Sequence, residues 1–245
     1  MTDKERFSEL CEKFAYLPTE ENGIGTYREK RLHRILKELV AGEECHEIAV
    51  GGYVADVLCD GHITEIQTKN LGSILPKLKY YVEETDFTVT VIHPIIAEKM
   101  LFRIDAETGE VLRKRRSSAH GSYFDGLAQL FYIREVLSCE RVNIRLLLVS
   151  AEEHRYSEKM RYRKEGAYIS ELYPKELIGE RLITSPDDLA EFVPDEPKEF
   201  TAKDYSLFGK VDGRKLYYCL NLLHSLGLVE RKKDGKKYVY SVKKK

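Results

Sequence analysis

Asp56, Glu65, Gln67 and Lys69 are the side chains whose types and spacing could do chemistry. The first lies in a β-rich run ending at Cys59, the other three in a run starting at His62. Between the runs stands Asp60-Gly61, a strong two-residue hairpin signal. With those two residues as the turn, Cys59 opposes His62, Leu58 opposes Ile63, Val57 opposes Thr64, and Asp56 opposes Glu65. Side chains alternate faces along a strand, so Glu65, Gln67 and Lys69 share one face, with Asp56 across from them. Thr64, Ile66 and Thr68 point the other way. Two carboxylates directly opposite repel. At about 4.5 Å that repulsion is roughly 1 kcal/mol in water and about 4 kcal/mol at an effective dielectric of 20. A divalent cation would remove it, because hard cations take carboxylate oxygens. The plainer reading is a solvated strand-edge pair neutralised by Lys69.

The elements around this row follow from periodicity. Residues 3–17 are predicted as a helix with Phe7, Leu10, Cys11 and Phe14 on one stripe. Asn22–Gly25 reads as a loop. Thr26 and Glu29 form a capping box, and Leu32, Ile35, Leu36, Leu39 and Val40 give the following helix its apolar face up to Gly42. The capping box by itself accounts for Glu29. A strand near Glu47–Val50 precedes the hairpin. Leu71–Val82 is predicted helical, with Pro76 in the first turns if the helix starts near Ser73. Phe87–Ile92 reads as a buried strand, Phe102–Ile104 and Glu110–Arg113 as a hairpin about Thr108-Gly109, residues 123–138 as a helix, and Val142–Val149 as a strand. Residues 151–193 are expected to hold one or two short helices, one of them Pro186–Phe192.

A helix with a glutamate, then strands carrying Asp56 and Glu65-Ile66-Gln67, in the order α-β-β-β-α-β, resembles the core of the PD-(D/E)xK nuclease superfamily. The resemblance covers roughly residues 24–95. It implies an α/β, restriction-endonuclease-like fold. It also implies Mg²⁺ (or Mn²⁺) held by Asp56, Glu65 and the backbone carbonyl of Ile66. Glu29 would match the helical glutamate that some members use. Gln67 stands where the pattern has lysine, although some active members carry glutamine there. Glutamine can orient a water but supplies no charge. Lys69, one same-face step on, is the nearest cation along the strand.

Two further clusters are basic. Arg113, Lys114, Arg115 and Arg116 are suited to phosphate contacts; a charged edge strand would look the same. Residues 201–245 hold 12 Lys/Arg against 4 Asp/Glu, whereas residues 1–200 hold 28 against 37. A basic end on an acidic body points to a polyanionic partner. That end reads as a short capped helix closing at Gly209, and a longer helix from Asp212 or Gly213 to about Leu226. A hairpin turning at Asp234-Gly235 follows. The order resembles a winged helix-turn-helix domain. By that resemblance Arg214, Lys215, Tyr218 and Asn221 would face the major groove. Arg231, Lys232, Lys233, Lys236 and Lys237 on the wing would meet phosphates. Many winged helices bind proteins instead.

The expected organisation is therefore a nuclease-like domain over 1–193, a proline-containing linker at 194–199, and a winged-helix domain over 200–245. The chain of 245 residues has an ordinary apolar share and no apolar run long enough to span a bilayer. No secretory signal is evident after Met1. Its 5 scattered cysteines form no Cys-x-x-Cys pair, so reduced thiols in a cytoplasmic protein are expected. The expectation for function is metal-dependent hydrolysis of DNA, double-stranded in the first instance, with a homodimer left open. The alternative is a catalytically inactive nuclease-fold DNA-binding protein serving as regulator or adaptor.

Overall fold

The hydrophobic stripes become the buried faces of the first two helices. The computed structural model describes residues 2–15, 27–157, 169–235 and 237–242. Helix α1 (Asp3–Ala15) buries Phe7, Leu10, Cys11 and Phe14. Helix α2 (Tyr27–Val40) buries Leu32, Ile35, Leu36 and Leu39. The predicted loop at 22–25 and the Thr26 cap lie outside the described residues. A 3-10 turn, Glu43–Cys45, leads into β1 (His46–Val50), β2 (Tyr53–Cys59) and β3 (His62–Ile66). Asp60 and Gly61 both take left-handed backbone, φ 48° and 77°. That is the geometry of a two-residue type I′ turn. Strand β3 ends at Ile66, and 68–69 form a bend. The expected extension of the strand row to Lys69 is thereby corrected.

A second 3-10 turn, Leu71–Ile74, runs into α3 (Leu75–Glu84) with Pro76 in its first turn. Proline fits there because the first N–H groups of a helix have no intrahelical partner. Strand β4 (Thr88–Asp105) is 18 residues long and joins two segments that the pattern separates. Its start pairs with β3 and its end with β5 (Val111–Arg116). Pro94, which lacks an N–H, falls between the two paired stretches. Helix α4 (Tyr123–Leu130) opens on a Ser122–Asp125 capping box and stops eight residues short of the predicted end, continuing as a 3-10 turn, Phe131–Ile133.

Of the stretch expected to hold one or two short helices, 151–193, residues 158–168 lie outside the described residues. Strand β6 (Val142–Ser157) runs on past Val149, and β7 (Ile169–Ile183) is a second long strand. The charged run at 152–155 hides the alternation, because Glu153 is wholly buried among its charged neighbours. A 3-10 segment does occupy Pro186–Phe192. Then come β8 (Glu199–Thr201), α5 (Ala202–Gly209), α6 (Gly213–Ser225), β9 (Val229–Asp234) and β10 (Lys237–Val242).

The larger sheet has seven strands in the order β1-β2-β3-β4-β6-β7, with β5 on β4; the smaller runs β8-β10-β9. Strand β3 lies parallel to β4, His62 against Thr88 through Ile66 against Ile92. The connection between them is α3, as a parallel pair requires. This is a mixed α/β fold. Among the described residues, no helix is long and apolar enough to cross a membrane.

Two compact units emerge. One comprises Met1–Cys59, Pro94–Gly121 and Leu147–Glu180; the other comprises Asp60–His93, Ser122–Leu146 and Arg181–Lys245. In the first unit, β1 and β2 pair antiparallel with His46 against Val57. Glu153 there receives Arg155 Nε at 2.8 Å and Ser170 Oγ at 3.0 Å. Lys99 Nζ lies 2.6 Å from its second oxygen. Burial raises this carboxyl, but Lys99, Arg155 and Ser170 outweigh it and hold it at about 2.

The second unit packs α6 on α4. Phe124 of α4 meets Phe192, Tyr205 and Phe208 edge-on, and its ring leaves no room for a side chain at Gly209. Phe200 of the small sheet stacks on both Tyr205 and Tyr240.

Candidate functional site

Asp56 sits mid-way along β2, where Ala55 and Val57 point into the core and Asp56 takes the other face, half-buried. Helix α2 supplies its partner: His33 Nε2 lies 3.1 Å from Asp56 Oδ2. The sequence pattern did not single out His33. Glu29 lies four residues earlier in the same helix, and its side chain is outside the described set.

Glu65 sits one residue from the carboxyl end of β3 and is 2% exposed. A buried carboxylate needs a counter-charge or it takes up a proton. Helix α3 provides the charge: Lys77 Nζ lies 2.6 Å from Oε2. Tyr81 donates its hydroxyl to Oε1 at 3.1 Å and is itself fully buried. Lys77 and Tyr81 are spaced i, i+4 and so share one helix face. That spacing was the available signal. The buried face of α3 is formed by Leu78 and Tyr81.

Gln67, at the lysine position of the nuclease pattern, uses its amide locally. Its Nε2 donates to Asn70 O at 3.1 Å and also to Ser73 Oγ. The Gln67 backbone carbonyl accepts from His93 Nδ1 at 2.6 Å. A carbonyl only accepts, so Nδ1 carries the proton and Nε2 of the neutral ring is the basic nitrogen. Burial lowers the affinity of His93 for a second proton, against opposing effects of the Gln67 carbonyl and Asp125. Lys69 stands exposed in the bend after β3. Hence the cation at Glu65 comes from helix α3. Among the described residues, no cluster of three or more His, Cys, Asp or Glu could hold a metal ion.

The basic cluster forms β5, whose residues are all exposed. Arg116, Arg115, Lys114 and Arg113 pair opposite Met100, Leu101, Phe102 and Arg103. Lys114 lies 5.0 Å from the Phe102 ring centre, and Arg116 is 4.0 Å from Glu98. In the terminal segment, Lys215 is ion-paired with Asp125, and Tyr218 stacks on Phe131 at 5.3 Å. Asn221 accepts from Arg231 at 3.2 Å. Arg214, Lys232, Lys233 and Lys237 are exposed, and Lys236 lies outside the described residues.

Residues 30–184 match a family described as a domain of unknown function, DUF8091. The chain belongs to the DUF8091 family. The matched stretch contains Asp56, Glu65, Lys77 and the basic strand β5, and it ends at the close of β7. An uncharacterized protein of Treponema pallidum (strain Nichols) is 28% identical over 146 residues, 58% of this chain. The aligned region spans 57% of that relative's length. No solved structure matches the chain.

Proposed function

We propose that the protein is a metal-dependent nuclease of restriction-endonuclease-like type, hydrolysing phosphodiester bonds in DNA. The observation that carries this reading is the order α2-β1-β2-β3-α3-β4 with β3 parallel to β4 and a buried carboxylate, Glu65, at the carboxyl end of β3. Ligands of parallel α/β sheets gather at that end of the strands. Asp56, Glu65 and the Ile66 carbonyl would hold Mg²⁺ or Mn²⁺, all three being hard oxygen donors. A carboxylate has about four lone-pair sites, so Glu65 can serve Lys77, Tyr81 and a cation together. The bound metal would lower the pKa of an attacking water and offset charge on the phosphoryl oxygens.

The chain's own groups have separable tasks in this reading. Lys77 pairs with Glu65 in its buried setting and supplies the positive charge that Gln67 cannot. His33 holds the Asp56 carboxylate in place. The exposed Arg113–Arg116 strand and the terminal Lys232, Lys233 and Lys237 would bind the phosphate backbone, without reading sequence. The order β8-α5-α6-β9-β10 supports a winged helix-turn-helix reading of the terminal segment. Lys215, paired with Asp125 of α4, and Tyr218, stacked on Phe131 of the 3-10 turn that follows, leave Arg214 as the more accessible groove-facing candidate on α6.

A second reading has an observation of its own. Both Glu65 oxygens already have partners, and the Gln67 amide is turned into the 70–73 loop. On that basis the fold would bind DNA without cutting it, as a regulator or adaptor. Calorimetric titration with Mn²⁺ separates the two. The nuclease reading requires heat of binding that disappears in Glu65→Ala, and a silent titration of the wild-type chain favours the adaptor.

A further inference from the structure

Cys45 and Cys59 lie side by side at the open end of the β1–β2 ladder. Their sulfur atoms are 2.7 Å apart. A disulfide is about 2.05 Å long, so closure needs an approach of only about 0.7 Å. Cys45 ends the 3-10 turn that feeds β1, and Cys59 is the last residue of β2. The ladder between them runs from Val50 against Tyr53 to His46 against Val57. The short turn at 51–52 closes one end, and the two thiols flank the other. Cys11 and Cys219 are buried elsewhere in the chain, and Cys139 is half-buried.

We propose that Cys45 and Cys59 form a reversible intrachain disulfide, a redox-modification site that staples the strand carrying Asp56. This is independent of the nuclease reading. The oxidant class is a small-molecule disulfide. Cys59 is the more exposed of the two, while Cys45 is buried. The Cys59 thiolate attacks the small disulfide, forming a mixed disulfide and releasing one thiol. The Cys45 thiolate then attacks the Cys59 sulfur, forming the Cys45–Cys59 bond and releasing the second thiol. Two protein thiols are oxidised and one small disulfide is reduced to two thiols, so atoms and electrons balance. Reducing conditions run the same exchange backward. Closing this loop restricts the unfolded chain and therefore raises the melting temperature of the oxidised form.

The test equilibrates the full chain in glutathione buffers of graded ratio, traps free thiols with N-ethylmaleimide, and maps peptides by mass spectrometry. The expected result is a linked peptide pair containing Cys45 and Cys59 in oxidising buffer, with a loss of two reactive thiols per chain. The linked form should melt about 5 °C higher. That rise should vanish in Cys59→Ser and, separately, in Cys45→Ala, each of which keeps the reduced wild-type midpoint within a degree or so. Full alkylation of both residues in oxidising buffer on the folded chain would overturn the proposal. So would glutathione retained on Cys59 without closure.

Discussion

Protonating Glu153 should remove about 3 kcal/mol from the fold. The carboxyl is wholly buried on β6, and its three partners hold it near 2 against an ordinary value of 4.5. That difference, at about 1.36 kcal/mol per pKa unit, gives the figure. The folded pKa lies below the unfolded one, so the stabilisation is fully present above about pH 5 and drains away as pH falls toward 2. By pH 3 about 2 kcal/mol of it should be gone. The assay is urea unfolding of the wild type and Glu153→Gln at pH 6 and pH 3. Glutamine does not titrate, so the gap between the two proteins isolates this group from other acid losses. The gap should narrow by about 2 kcal/mol between the two pH values. An unchanged gap would refute the argument that Lys99, Arg155 and Ser170 depress this carboxyl.

Other substitutions probe separate parts of the account. Lys77→Ala leaves Glu65 buried beside a lost cation and should destabilise by about 3 kcal/mol, with much of the loss recovered in the Lys77→Ala/Glu65→Gln pair; urea midpoints decide it, and strict additivity would contradict the pairing. Gly209→Ala would set a methyl 2.6 Å from the Phe124 ring. It should lower the melting temperature through about 1–3 kcal/mol of overpacking, and an unchanged midpoint would mean that α5 does not press on α4 in solution. Lys232→Glu with Lys233→Glu should weaken DNA binding and flatten its salt dependence by about two counterions, read by fluorescence anisotropy at graded salt. An unaltered slope would remove the wing from the interface.

Much of the scaffold was legible because local signals agreed. The stripe in α1, the Asp60-Gly61 turn and the Thr201–Asp204 cap of α5 each act within a few residues. Longer elements were hidden where tertiary partners override pattern. Pro94 looks like a break but falls where β4 changes neighbours, and Glu153 interrupts the alternation of β6 because its charge is met by Lys99, 54 positions away in sequence. The same holds at the candidate site. Asp56 and Glu65 could be picked out by spacing, whereas Lys77 and His33 come from helices whose packing face the sequence specified only by apolar residues. Along the strand the nearest cation is Lys69, and the structure brings a charge to Glu65 from Lys77 of α3.

The central claim is that Asp56 and Glu65 serve metal-assisted cleavage of a phosphodiester bond. The measurement that tests it most directly is single-turnover cleavage of labelled plasmid, linear, single-stranded and branched DNA with Mg²⁺ or Mn²⁺, by the wild type and Asp56→Asn. The account predicts cleavage of at least one form that needs the metal and is lost in Asp56→Asn, while DNA binding by the variant is retained. Cleavage by Asp56→Asn at the wild-type rate would contradict it, as would DNA binding by the wild-type chain with no cleavage of any form in either metal.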